Sequence, residues 1–363
     1  MRSTSRSILY YSAGLALATM LLTSQTAFSQ NTSLGSHITS VMAEAKIPSI
    51  AIASIKGGRI VQISAFGEQS PGIAATESST YNIASLTKPL TAEVVLRLAS
   101  KKLLGLDEPM FYHWIDPDVS SDLRSQALTA RFALSHQTGL PNWRDSKTGM
   151  KFIFDPGTQW GYSGEGYQYV LRFSEKKTGK SFDILARSQL FEPGGMTHTT
   201  FTDQPWLRER IALPSDALGK YMKPHIAERP NAADLVYTTA ADYASFMIEV
   251  MQDKGLSSEV ASERQRIQVD LRNLRCAGDK AATCPERIGF GLGWEILDFA
   301  GDIIFMHTGK DDGVFTFAYL SKSTQDGVVI LTNGDSGHKA VLPVLEKLGA
   351  NPRFLAYLQA QVH

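Results

Sequence analysis

Two cysteines, Cys276 and Cys284, are all this 363-residue chain contains, which excludes a fold stapled by disulfides in place of a core. In an oxidising compartment they can pair across a short loop, worth about 2.5 kcal/mol at most on chain-entropy arithmetic; a free pair fits the sequence equally well. No His-Glu-x-x-His, Cys-x-x-Cys or clustered His/Asp set occurs, so nothing in the pattern asks for a metal ion or other cofactor. Charge of one sign is lacking too: 36 Lys and Arg face 36 Asp and Glu, which argues against nucleic acid or an anionic membrane surface as partner. The apolar run that opens the chain, Ile8 to Leu22, is shorter than the roughly 20 residues a membrane span requires. Arg2 and Arg6 precede it and Ala27-Phe28-Ser29 follows, the layout of a secretory signal peptide over residues 1–29. No cysteine follows the run to carry a lipid, so no membrane anchor is expected after cleavage. The mature chain is expected to begin near Gln30, periplasmic or secreted. Removing residues 1–29 takes away two arginines and no acid and leaves 34 basic against 36 acidic residues.

What is present centres on Tyr81-Asn82-Ile83-Ala84-Ser85-Leu86-Thr87-Lys88 and the apolar run from Pro89 to Leu104. Leu86, Leu90, Val94 and Leu98 recur every fourth residue, and Val95, Leu96, Leu103 and Leu104 widen the apolar surface; this predicts a buried helix. Pro89 fits in its first turn, where a missing N–H breaks no intrahelical bond. Residues three apart share a helix face, so Ser85 and Lys88 should meet. A lysine in a low-dielectric site loses pKa and can take the proton of a neighbouring hydroxyl, which makes Ser85 a candidate activated nucleophile. Ser-x-x-Lys alone is a weak pattern. It recurs at Ser174 with Lys177, in a charged stretch that reads as a solvated helix face, and at Ser336 with Lys339, beside a loop where it reads as a helix start. Only Ser85 opens a buried helix.

A first helix is expected from Ser36 to Lys46. Ser49 to Ile55 and Ile60 to Phe66 are β-like around Lys56-Gly57-Gly58-Arg59, which predicts a hairpin. From about Gly105 to Pro230 short helical pieces alternate with turn clusters; Ala130 to Ser135 and Tyr167 to Lys177, ended by Gly139 and Gly179, are two of them. A stronger helix spans Thr238 to Gln252. Strands then dominate: Gly291 to Leu297, Ile303 to His307, Val314 to Leu320, and Val328 to Leu331 after Asp326-Gly327. Their close spacing favours antiparallel neighbours. A last helix is expected from about Lys339 to Leu348. No internal repeat or long linker interrupts this order. The sum is an α/β chain of the α+β type: an antiparallel sheet built from both chain ends and flanked by helices, with a mostly helical lobe inserted. The single domain 30–363 then divides into an α/β lobe, about 36–104 and 238–363, and a helical lobe, about 105–237.

Two further stretches complete a pattern. One is Pro156-Gly157-Thr158-Gln159-Trp160-Gly161-Tyr162-Ser163-Gly164-Glu165-Gly166-Tyr167, a tight loop opening a helix; the other is His307-Thr308-Gly309 at a strand end. Together with Ser85 and Lys88 they resemble the three motifs of the serine penicillin-recognising enzymes. The nearest branch is that of class C β-lactamases, D-Ala-D-Ala carboxypeptidases, D-aminopeptidases and related serine esterases. Leu134-Ser135-His136-Gln137-Thr138-Gly139-Leu140 and Leu190-Phe191-Glu192-Pro193-Gly194-Gly195-Met196 resemble landmarks between those motifs.

The resemblance implies a β-lactamase/transpeptidase-like fold and a serine hydrolase acting on a small-molecule or peptide acyl donor. Ser85 would carry the acyl group and Lys88 accept the serine proton. Tyr162 would relay a proton to the leaving group. His307, where lysine is common, would hydrogen-bond toward Tyr162 and Ser85. Thr308 would contact a substrate carboxylate or carbonyl, and the N–H groups of Ser85 and Lys310, flanking Gly309, would make the oxyanion hole. Two positions depart from the pattern. Gly164 stands where an asparagine usually grips the substrate amide, which implies a poor β-lactamase favouring esters or otherwise-held amides. Glu165 either complements a helix dipole or binds a substrate ammonium group. His136 and His198, in loop or cap settings without a partner, read as structural. Gly161-Tyr162-Ser163-Gly164-Glu165 lacks the final glycine and the leading strand of a nucleophile elbow, and Gly289, Gly291 and Gly293 precede a strand rather than a helix. Besides the hydrolase, a penicillin-binding sensor acylated without turnover and a non-catalytic scaffold stay open.

Overall fold

Gly57 and Gly58, at φ +54° and +72°, turn the chain between β1 (Ser49–Lys56) and β2 (Arg59–Ser70); a left-handed pair suits glycine because no Cβ meets the backbone. The computed structural model describes residues 34–362, and the expected signal peptide lies outside them. A helix over residues 34–45, α1, precedes the hairpin. After β3 (Ile73–Ala74) and β4 (Tyr81–Asn82) comes α2 (Thr87–Ser100). The inserted stretch holds α3 (Ala130–Leu134), α4 (Gly164–Thr178) and α5 (Phe182–Ala186). The chain then returns through β5 (Tyr237–Thr238), α6 (Ala240–Met251), α7 (Ser258–Gln265), β6 (Val269–Asp270) and α8 (Arg272–Arg275). It finishes with β7 (Arg287–Phe290), β8 (Glu295–Phe299), β9 (Asp302–Asp311), β10 (Val314–Ser321), β11 (Gly327–Thr332), α9 (Val341–Lys347) and α10 (Pro352–Val362).

Nine strands form one antiparallel sheet in the order β3–β2–β1–β11–β10–β9–β8–β7–β6. Both chain ends therefore build it, as the sequence predicts. Its two faces are buried by different partners, and β1 shows the division through its period of two. Ala51, Ala53 and Ile55 pack with α2, α4 and α6. Ile50 and Ile52 pack with α1, α9 and α10. Leu86, just before α2, and Leu90, Val94 and Leu98 on it are fully buried, each contributing about 1.5–3 kcal/mol of apolar burial. Charged groups pin the same helix: Arg264 bonds Glu93 at 2.8 Å and Arg97 bonds Glu249 at 2.7 Å. Buried pairs of this kind fix register more than they add stability.

Three expectations need correction. The predicted strand from Gly291 begins too early, because Gly291 N–H bonds Trp294 O and closes a turn; the residues before it form β7. The predicted strand from Ile303 continues past His307 to Asp311. The last predicted helix is followed by α10, whose Phe354, Tyr357 and Leu358 are buried. Cys276 and Cys284 form a disulfide with Cα atoms 5.9 Å apart. Among the described residues no helix is long and apolar enough to cross a membrane.

Candidate active site

Ser85 lies in a 3-10 turn, Ala84–Leu86, that runs directly into α2. Ala84 stands at φ +46°, a conformation that costs a residue with a Cβ on the order of 1 kcal/mol. Its surroundings hold it there. Asn82 Oδ1 accepts from Ala84 N at 2.9 Å, Ile83 N donates to Val236 O at 2.9 Å, and Thr316 Oγ1 donates to Ile83 O at 2.8 Å. From the start of α2, Lys88 Nζ reaches Ser85 Oγ at 2.9 Å and Ala233 O at 2.8 Å.

Lys88 is 1% exposed. Burial lowers its pKa from the ordinary lysine range, with the nearby Asp234 carboxylate opposing. The Tyr162 ring lies 4.7 Å from Lys88 Nζ. Burial pushes the Tyr162 phenol well above its ordinary value, contact with Ser85 opposes, and Asp234 adds to the rise. At neutral pH Tyr162 therefore keeps its proton, and the group whose burial favours a free base is Lys88.

His307 on β9 sits with its ring 6.4 Å from that of Tyr162. Its Nδ1 donates to Thr308 O at 2.7 Å, which leaves Nε2 as an acceptor, buried and without a partner. Burial, then Lys88, lowers the His307 pKa to about 3, against the Thr308 bond. Beside it, the backbone of Gly309 lies against the Ser85 turn. A Cβ there would be 2.3 Å from Thr316 Oγ1, 2.4 Å from Ile83 O and 3.0 Å from Ser85 N. Only glycine lets β9 approach this closely. Thr308 and Lys310, exposed on β9, border the cleft in front of Ser85.

That cleft measures about 320 Å3 and is bordered by Ser85, Tyr162, His307, Thr308 and Lys310 together with residues from other loops. The structure thus gathers Ser85, Lys88, Tyr162, His307, Thr308, Gly309 and Lys310. Gly164 and Glu165 do not border the cleft. At Gly164 a Cβ would lie 2.7 Å from Asn142 O and 2.9 Å from the Trp143 ring, so the position has no room for a side chain. Asn142 Oδ1 instead accepts from Gly164 N at 3.0 Å, and Asn142 itself borders the cleft. Glu165 is buried and both its oxygens bond Arg144, at 3.0 and 2.8 Å; it has no oxygen turned to a substrate amine.

His136 differs from its reading as partnerless. Its Nδ1 accepts from Ser163 N at 3.0 Å and its ring packs 4.3 Å from that of Tyr162. His136 therefore holds the loop that carries Tyr162, from a left-handed backbone at φ +59°. His198 also differs from that reading, with Thr197 Oγ1 and the Trp206 ring as its partners, and it does not border the cleft. The sequence reading missed Asn142, Trp143, Asp234, Arg275 and Glu295, all at the cleft. Arg275, next to the disulfide, holds Glu295 at 2.9 Å.

Known proteins resemble this chain in sequence and fold. The β-lactamase family matches residues 34–348. Penicillin-binding protein 4* of Bacillus subtilis is 26% identical over 334 residues, covering 82% of this chain and 71% of that protein. The D-alanine carboxypeptidase AmpC from Burkholderia cenocepacia superposes with TM-score 0.71 at 19% identity, over 88% of this chain and 99% of its own. A class C β-lactamase from Rhodobacter sphaeroides superposes with TM-score 0.70 at 17% identity, over 87% and 99%; these two share the fold. With the family covering nearly all the described residues, the chain belongs to the β-lactamase family of serine hydrolases.

Proposed function

We propose that the protein hydrolyses small esters, amides or D-amino-acid peptides through an acyl-enzyme on Ser85. The observation that carries this reading is the 2.9 Å contact between Lys88 Nζ and Ser85 Oγ inside a buried site. Neutral Lys88 takes the Ser85 proton as Oγ bonds the acyl carbon. The N–H groups of Ser85 and Lys310 receive the carbonyl oxygen as it gains charge, each worth roughly 3 kcal/mol of barrier. The Tyr162 phenol, kept protonated by burial, gives its proton to the leaving group as that bond breaks, and Lys88 returns a proton to Tyr162. Water then attacks the ester carbon as its proton passes to the Tyr162–Lys88 pair, and that pair gives the proton to Ser85 Oγ as the ester bond breaks and the acid product leaves. His307, kept neutral by burial, packs beside the Tyr162 ring, and Thr308 faces the substrate.

The crowded Gly164 position supports a preference for esters over β-lactams, because the amide-gripping side chain is absent there. Steady-state kinetics on a cephalosporin and a short-chain aryl ester test this: the ester is expected to turn over faster, and faster cephalosporin turnover contradicts it. Secretion is part of the same reading. It is supported by the Arg2/Arg6–apolar–small-residue order and by a disulfide that suits an oxidising compartment. An N-terminus near Gln30 on protein recovered outside the cytoplasm tests it.

A further inference from the structure

Trp160 and Tyr162 stand two residues apart on one loop, with their rings 6.5 Å apart. Trp160 also meets a charged pair that the steps above do not use. The Arg275 guanidinium lies 5.8 Å from the centre of the Trp160 ring, and its Nε and Nη2 bond the two Glu295 oxygens at 3.1 and 2.9 Å. Two parallel bonds of this kind fix a guanidinium in place. Glu295 is itself buried and accepts a further hydrogen bond from Tyr357 Oη on α10, at 3.3 Å. Trp160, Arg275 and Glu295 all border the cleft in front of Ser85. The pair is neutral as a unit and its geometry is set, so a substrate meets it as a wall and not as a mobile charge.

The segment that carries Arg275 has few anchors of its own. Leu271, before α8, is buried, but α8 has no buried residue and neither has the 3-10 stretch Gly278–Thr283 that follows. The polar ties across it, Arg272 Nη2 to Pro285 O at 2.7 Å and Gln361 Nε2 to Arg275 O at 3.2 Å, are part-buried and compete with water. The disulfide is the remaining anchor. Cys276, next to Arg275, belongs to the apolar cluster that holds Phe354, Tyr357 and Leu358 of α10, and Cys284 packs against that cluster.

We propose that Arg275 bounds the leaving-group side of the cleft and limits the size of leaving group accepted, and that the Cys276–Cys284 disulfide keeps it there. This rests on the acyl-enzyme reading of Ser85, in which Tyr162 protonates the leaving group; Trp160 places Arg275 on that flank. Opening the disulfide takes two electrons and two protons from a dithiol. One thiolate of the reagent bonds a cysteine sulfur as the S–S bond breaks, its second thiol displaces that cysteine, and Cys276 and Cys284 are left as thiols beside a cyclic disulfide. Arg275 then loses its tether, while the contacts of Ser85, Lys88 and Tyr162 are untouched.

The test uses p-nitrophenyl acetate and 4-methylumbelliferyl acetate, which form the same acetyl-enzyme and differ only in the leaving group. Arg275→Ala is expected to raise the kcat/KM ratio of the bulkier ester to the smaller one by at least about threefold, a modest steric discrimination. Dithiothreitol treatment of the disulfide-bonded protein, and the double variant Cys276→Ser with Cys284→Ser, are expected to move the ratio the same way. Reoxidation of the treated protein should restore it, and dithiothreitol should add nothing in Arg275→Ala. A general loosening of the fold lowers both esters together and leaves the ratio where it was. A ratio unmoved in Arg275→Ala, unmoved by reduction, or moved by reduction as far in Arg275→Ala as in the wild type overturns the proposal. Fluorophosphonate labelling of Ser85, run in parallel, separates the two claims. A labelled protein with an unmoved ratio rejects the wall alone, and an unlabelled one rejects the nucleophile and the wall with it.

Discussion

Lys88 Nζ sits 2.9 Å from Ser85 Oγ and 2.8 Å from Ala233 O, so one amine is shared between the hydroxyl of the proposed nucleophile and a carbonyl that can only accept a hydrogen bond. The carbonyl fixes the amine's position, and burial weakens its hold on the third proton. Replacing Lys88 by Met should lower acylation by about 10²–10⁴-fold, the usual worth of a positioned base. The active form is the unprotonated one, and the Lys88 pKa is depressed. The rising limb of the kcat/KM profile should therefore fall below the ordinary lysine value of about 10.4. Asp234 raises the Lys88 pKa, so Asp234→Asn should move that limb to still lower pH. A limb at or above the ordinary value contradicts the assignment.

Two buried imidazoles make stability depend on acid. His307 is held at about 3 and His136 well below its ordinary value, both chiefly by burial, while unfolded histidine titrates near 6.5. Between those values the unfolded chain binds more protons, so stability is full above about pH 6.5 and falls as pH drops toward 3, by several kcal/mol if the structure does not relax. Thermal melts from pH 4 to 7 should show this slope, and His307→Gln should flatten it. An unchanged slope in that variant places the effect elsewhere.

The close passage of β9 depends on a missing methyl. Gly309→Ala would set a Cβ against Ile83 O and Thr316 Oγ1, at about 1–3 kcal/mol of strain. Fluorophosphonate labelling of Ser85 should fall by at least about tenfold while far-UV circular dichroism keeps its native form. Full labelling at the wild-type rate contradicts the geometry argued for the oxyanion hole.

Glu165 is expected to matter for folding and not for substrate. Glu165→Gln leaves Arg144 beside Asp116 and Asp118 but removes the charge from a buried carboxylate that pairs with an exposed guanidinium. A loss of about 1–3 kcal/mol in denaturant melts should accompany an unchanged KM for amine-bearing substrates. A rise in KM confined to those substrates would reinstate it as a ligand for the amine.

The parts of the site that the sequence revealed are those joined by local geometry. A three-residue spacing brings Ser85 to Lys88, and a fourfold apolar repeat says that their helix is buried. Gly57-Gly58 marks the hairpin because two left-handed residues have few other uses. Motif order carried Tyr162 and His307 into the same cleft. Asn142, Asp234 and Arg275 stayed invisible, because each arrives from a loop or a one-turn helix with no period to read. Glu165 misled for the same reason: its partner Arg144 lies 21 residues earlier, in a loop whose course no pattern encodes. His136 looked partnerless because its acceptor role is toward a backbone N–H, which no side-chain motif announces.

Intact-mass spectrometry of the protein after brief exposure to a reactive aryl ester and to a penicillin, followed by peptide mapping, tests the central claim most directly. One acyl adduct on the peptide holding Ser85, absent in Ser85→Ala and slow to form in Lys88→Met, is the expected result. An adduct on another residue, or equal adduct in Ser85→Ala, contradicts it.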